Sequence, residues 1–160
     1  MNYYLPFGFC LVLIFCSCGS RRTAMGEDRT VVKDSVAGLM MRISGDITKG
    51  GPKQWLTYFE NDPGFFMASD GAVKFGDFES AATYTRDSLP QIISRITLTW
   101  DRLRIDPISQ EYAYVGADFD EDITLANGQK VSDVGFFTAV AHFDGTTWKL
   151  RNLDWASKPR

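Results

Sequence analysis

The chain has 160 residues, a net charge of −3, 44% hydrophobic and 14% aromatic residues, and Lys and Arg scattered along its length. That pattern offers no basic stripe to neutralise a phosphate backbone, which excludes nucleic acid as a partner. A single histidine, His142, and cysteines confined to positions 10, 16 and 18 exclude a zinc site of the His/Cys type, and no thiol remains downstream for catalysis or an intrachain disulfide.

The cysteines lie in or at the edge of an apolar run over residues 5–18, followed by Gly19, Ser20, Arg21 and Arg22. The run is well short of the roughly 20 apolar residues that a spanning helix needs. It ends in a small residue before a cysteine, as an export signal does. Phe15-Cys16-Ser17-Cys18 resembles a bacterial lipoprotein cleavage box, with Ser17 as the small residue and Cys18 as the one lipidated. The other readings are a plain cleaved signal and a buried terminal helix. The resemblance implies an exported chain, lipid-anchored in the bacterial cell envelope, that meets the membrane only through the anchor. Gly19 stands where inner-membrane retention is associated with an acidic residue, so an outer-membrane or periplasm-facing position is expected. Residues 1–18 are thus assigned to the signal, 19–27 to a polar tether and 28–158 to one folded domain, a size that buries a core without disulfides.

From Asp28 the pattern turns helical. Val32, Val36, Leu39, Met40, Ile43 and Ile47 recur at spacings of three and four and form one apolar stripe, which Gly50-Gly51 ends. Pro52, favourable at a first helical position, opens a second short helix with Trp55, Leu56 and Phe59 on its apolar face. Residues 65–69 read as a strand ending in the turn Asp70-Gly71, and residues 73–75 as a short return. Asp77 is placed to cap a third helix from Phe78 to about residue 89, broken near Pro90.

Four β-runs follow, over residues 93–105, 111–124, 129–143 and 147–156, with turn signals at Asp106-Pro107, Asn127-Gly128 and Asp144-Gly145. Strands this long bend, and bulges are expected around Asp101 and Asp133. Ile96, Leu98 and Trp100 share a face, as do Ala113, Val115, Ala117 and Phe119. In the third run both alternating sets are largely apolar, so that strand is expected to be central and covered on both sides, the second cover being a dimer partner. Arg95, Arg102 and Arg104 form a stripe that either receives an acidic ligand or pairs with carboxylates such as Asp118 and Asp120. The order predicts an α+β fold, three N-terminal helices packed in a strongly curved antiparallel sheet that closes to a cone open at one end.

Trp55-Leu56-Thr57-Tyr58-Phe59, Phe66-Met67-Ala68-Ser69-Asp70-Gly71, Gly135-Phe136-Phe137-Thr138, Asp144-Gly145 before Trp148-Lys149-Leu150, and Leu153-Asp154-Trp155-Ala156-Ser157 occur in that order. Together they resemble the nuclear transport factor 2-like superfamily, in its SnoaL-like and ketosteroid-isomerase-like branch. The resemblance implies the cone fold and a pocket inside it, around which Trp55, Phe59, Trp100, Phe119, Phe137 and Trp155 are placed, with core packing as the other role for these rings.

Asp70 matches the position of the general base in ketosteroid isomerases, but the first helix has no tyrosine and Ala139 falls where their oxyanion aspartate belongs, so steroid isomerisation is disfavoured. Asp70 reads equally as a turn residue bonded to nearby backbone. Asp154, beside Trp155, is either an acid–base group or a strand carboxylate paired with Arg151 or Arg102. The expected function is binding of a small apolar or mildly acidic ligand, dimerisation through the sheet, or both, without a cofactor or a metal. The alternative is a cofactor-independent acid–base enzyme of isomerase, dehydratase or cyclase type, using Asp70 or Asp154 with Tyr58 or Tyr84 as donor.

Overall fold

The computed structural model describes residues 20–158, and their side chains from Asp28 onward; the apolar run and Cys18 lie outside the described residues. Helix α1 (Ser20–Gly50) carries the stripe as read: Val32, Val36, Leu39, Met40, Ile43 and Ile47 are all buried. Six such side chains bring about 1.5–3 kcal/mol of burial each before ordering costs. The backbone of residues 20–27, read as a tether, is helical and continuous with α1. The helix stops where Gly51 takes φ 80° and ψ −176°, a positive-φ backbone essentially reserved for glycine, and gives its N–H to the Ile47 carbonyl at 2.8 Å. A 3-10 turn (Pro52–Thr57) then tucks Trp55 inward.

Strands β1 (Phe66–Ser69) and β2 (Ala72–Phe75) form a hairpin through Asp70-Gly71. Asp77 caps α2 (Phe78–Thr83), accepting the Ser80 N–H at 2.8 Å. The helical path does not break near Pro90. A π-turn (Tyr84–Ser88) precedes α3 (Leu89–Ile92), placing Pro90 in a first turn where its missing N–H is not needed.

Strands β3 (Ile93–Pro107), β4 (Tyr112–Leu125), β5 (Lys130–Phe143) and β6 (Trp148–Ser157) complete one six-stranded sheet of order β2-β1-β6-β5-β4-β3. The sheet is mixed rather than purely antiparallel, because β1 runs parallel to β6. No hairpin joins those two strands, so turn geometry does not dictate their relative direction. The expected bulge at Asp101 is present, with Arg102 at φ 46° and a register shift by Arg104. None occurs at Asp133. The hairpin at Asn127-Gly128 instead pairs β4 and β5 without interruption from Thr124↔Lys130 to Tyr112↔His142. Further breaks fall at Met67/Ala68, at Ile93/Arg95 and, between β5 and β6, at Val140/Ala141, where Arg151 is left unmatched.

Helix α1 packs chiefly along β3, across the concave face of the sheet. Ala113, Val115, Ala117 and Phe119 of β4 and Phe137, Ala139 and Ala141 of β5 face it, all buried. On the opposite face of β5, within the single chain, Phe136 is 45% exposed, with Val134 and Tyr114 exposed near it.

Candidate functional site

The cone narrows onto a continuous chain of rings. Trp100 lies 5.1 Å from Phe137, Phe137 4.9 Å from Trp155, and Trp155 5.2 Å from Trp55 at an interplanar angle of 82°. These are offset and edge-to-face contacts of the kind aromatic quadrupoles favour. Phe119, Phe137 and Trp100 form the floor: the first two are buried, and the Trp100 indole N–H donates to the Met40 carbonyl at 2.9 Å. Trp55, Phe59 and Trp155 sit one layer higher and border a cavity of about 230 Å³ at the open end. Of the six aromatics expected around a pocket, three line it and three support it.

Two acids enter this cavity. On β4 the inward positions run Ala117, Phe119, Glu121, and on β5 they run Phe137, Gly135, Asp133; Glu121 and Asp133 stand directly opposite each other in the ladder. Opposed residues place their Cβ atoms about 4.5–5.5 Å apart. Asp133 Oδ2 accepts a hydrogen bond from the Ser157 hydroxyl at 2.8 Å. Burial, and then the charge of Asp133, push the Glu121 carboxyl up to about 7. Gly135, between Asp133 and Phe137, is required by close approach: a Cβ there would stand 2.2 Å from the Ala156 carbonyl and 2.7 Å from the Phe119 ring.

Neither expected aspartate is in the cavity lining. Asp70 is exposed, with φ 51° at the hairpin tip, where its backbone turns its carboxylate toward β6. Oδ1 accepts the Ser157 N–H at 2.9 Å and Oδ2 the Ser69 hydroxyl at 3.0 Å. The Ser157 bond first, and then that of Ser69, hold the carboxyl below its ordinary range, making Asp70 a poor proton acceptor. It fills the turn role, tying the β1 hairpin to the last strand. Asp154 alternates with Leu153 and Trp155 and so faces the other side of the sheet. Its Oδ1 is buried without a hydrogen-bond partner among the described residues. Arg151 bonds Asp62 at 2.6 Å and Arg102 bonds Asp118, so neither of its expected partners is engaged with it.

The expected donors are not in the cavity lining either. The Tyr58 hydroxyl donates to Asp46 Oδ2 at 2.5 Å, and burial followed by that bond pushes its pKa up to about 12. Tyr84 packs on Phe75 at 5.1 Å. His142 meets Glu60 at 2.5 Å under the ring of Tyr112, away from the cavity. Among the described residues no group of three or more His, Cys, Asp or Glu gathers to hold a metal ion, and no helix is long and apolar enough to cross a membrane.

The arrangement is an α+β cone with a small-molecule-sized cavity whose walls are apolar and whose polar groups are acids and hydroxyls. No family model matches the sequence, and no curated protein does. Solved structures do match its shape. A nuclear transport factor 2-like superfamily protein from Salmonella enterica subsp. enterica serovar Typhimurium str. LT2 superposes with a TM-score of 0.68 at 18% identity, over 82% of this chain and 94% of that one. A candidate scytalone dehydratase from Novosphingobium aromaticivorans DSM 12444 gives 0.69 at 12% identity, over 84% and 89%. The hexachlorocyclohexane dehydrochlorinase LinA-type3 from Novosphingobium barchaimii LL02 gives 0.67 at 13%, over 84% and 91%. The chain has the nuclear transport factor 2-like fold. That fold hosts both enzymes and binding subunits, so function must be argued from the cavity.

Proposed function

We propose that this domain binds a small, largely apolar molecule at the open end of the cone, held against Trp55, Phe59 and Trp155 and oriented by Glu121 and Asp133. The carrying observation is an acid pair set directly opposite in a largely apolar, ligand-sized cavity. A mildly acidic ligand is disfavoured, since its charge would face two carboxyls. The test is titration of the full chain with one-ring compounds, followed by tryptophan fluorescence. Leu89→Trp, at the cavity edge, is expected to abolish the response while leaving the circular dichroism spectrum unchanged; a response that survives it places the ligand elsewhere.

One observation favours acid–base chemistry in the same cavity as a second reading. Glu121, titrating near neutrality beside Asp133, can give or take a proton at working pH. Exchange of a ligand proton for deuterium in heavy water, lost in Glu121→Gln with binding retained, separates catalysis from binding. Exposed Tyr114, Val134 and Phe136 support dimerisation through the outer face of the sheet, tested by sedimentation of Phe136→Asp. Export and lipid attachment at Cys18 complete the proposal; palmitate labelling that persists in Cys18→Ala would remove that part of it.

A further inference from the structure

Among the described residues no Lys, Arg or His is in the cavity lining. Arg102 pairs with Asp118, Arg104 with Asp106, and Lys158 reaches toward Asp118 at 3.8 Å. Apart from Asp133 on β5, the side chains that share the cavity with Glu121 are uncharged: Ser69 on β1, Thr85 and Leu89 on the helical segment, Ile93 and Ile96 on β3, Ser157 on β6. Asp133 is the second titratable group in the lining, and one hydroxyl bond is its described partner there. Both residues are half-buried, and carboxylates partly withdrawn from water carry a cost unless a positive charge or donors meet them.

The remaining walls supply the other half of a cation site. The two indoles of Trp55 and Trp155 meet edge to face beside the acids, and Phe59 stacks at 6.0 Å from Trp55. Indole faces attract cations by their quadrupole, an effect that grows as water is excluded. We infer that the occupant of this cavity is an organic cation, a protonated amine on a compact apolar or aromatic body, with its ammonium between Glu121 and Asp133 and its body against Trp55 and Trp155. This rests on the small-molecule reading above and names its ligand class. The volume, about 230 Å³, suits a one-ring compound. A metal ion lacks the third protein ligand it would need among the described residues.

A bound ammonium favours the ionised form of Glu121, so binding below pH 7 releases a proton and affinity rises as pH climbs through about 7.

The experiment is calorimetric titration of the full chain with three size-matched probes: phenethylammonium, 2-phenylethanol and 3-phenylpropionate. The ammonium is expected to bind about tenfold or more tighter than the alcohol at pH 8, with the carboxylate weakest. At pH 6 its binding heat is expected to depend on the buffer's ionisation enthalpy. The near-isosteric double variant Glu121→Gln/Asp133→Asn is expected to lose the preference while keeping its affinity for the alcohol, which shows the cavity intact. An alcohol that binds as tightly as the ammonium, or a preference that survives the double variant, overturns the cation assignment and leaves the pocket standing. Displacement of phenethylammonium by equimolar calcium or magnesium overturns it in favour of a metal. No binding by any of the three probes brings down the pocket and the cation together.

Discussion

Glu121 and Asp133 face each other across β4 and β5 with the Phe119 ring immediately below them, and Gly135 gives that ring its room. The pair is held by a ladder that runs without a bulge from the Asn127-Gly128 turn, so its spacing is set by backbone pairing and not by a loop.

The pair carries a stability cost whose sign is fixed. Glu121 has a folded pKa of about 7 against an ordinary 4.5, so between those values the folded state binds more protons than the unfolded one. The contribution of Glu121 to stability is therefore fully present below about 4.5 and is lost as pH rises through about 7. Glu121→Gln is expected to stabilise the protein by about 1–3 kcal/mol at pH 8 and by much less at pH 5. Urea melts at the two pH values check this; an equal gain at both would show that the cost is not one of ionisation.

Two glycines should respond in opposite ways to the same methyl group. Gly135→Ala drives a Cβ into the Ala156 carbonyl and the Phe119 ring, and is expected to cost at least about 2–3 kcal/mol and to disturb the cavity floor. Gly45→Ala meets nothing within 4 Å on an α1 interior position and is expected to gain about 0.5–1 kcal/mol. Thermal melts of the two variants compare them directly.

Tyr58 fastens the 3-10 turn to α1 through Asp46 and belongs to the scaffold. Tyr58→Phe is expected to lose about 1–2 kcal/mol with ligand affinity unchanged. Because the folded tyrosine holds its proton to about pH 12 and the unfolded one to 10.0, wild-type stability falls across that window. The variant should show no such slope in an alkaline titration of stability.

Asp70 is expected to behave as a turn residue. Asp70→Asn keeps a side chain suited to left-handed backbone and a carbonyl to accept the Ser157 N–H, so melting temperature and binding should stay near wild type. Asp70→Ala should lower the melting temperature and leave the binding pH profile unmoved. A shift in that profile would return Asp70 to the site.

The fold was legible because its signals are local and repeated: the α1 stripe, the Asp77 cap, the Asn127-Gly128 turn and the alternation of β4 and β5 each rest on a few neighbouring residues. The site was less so. Asp70 and Asp154 stand out next to a turn and an indole, yet strand alternation sends Asp154 to the opposite face and a left-handed φ sends Asp70 to the surface. Glu121 and Asp133 lie in stretches that read as ordinary polar strand ends. Counting outward from the Asn127-Gly128 turn pairs 121 with 133 on the face of Phe119, but only if no bulge interrupts, and a bulge was expected at Asp133. Likewise, the parallel docking of β1 on β6 joins segments more than 80 residues apart, a relation no short-range pattern encodes.

That docking has a temporal side. β6 is the last of the described elements, yet it lies in the interior of the sheet, between β1 and β5. Until Ser157 has left the ribosome, the first hairpin has no neighbour to pair with and Trp155 is missing from the stack of rings. Closure of the cone therefore follows synthesis of these residues rather than accompanying it, and rests on contacts of long sequence separation that form slowly. A chain built in this order gains the cavity wall that Trp155 supplies only once residues 148–157 are available to pair.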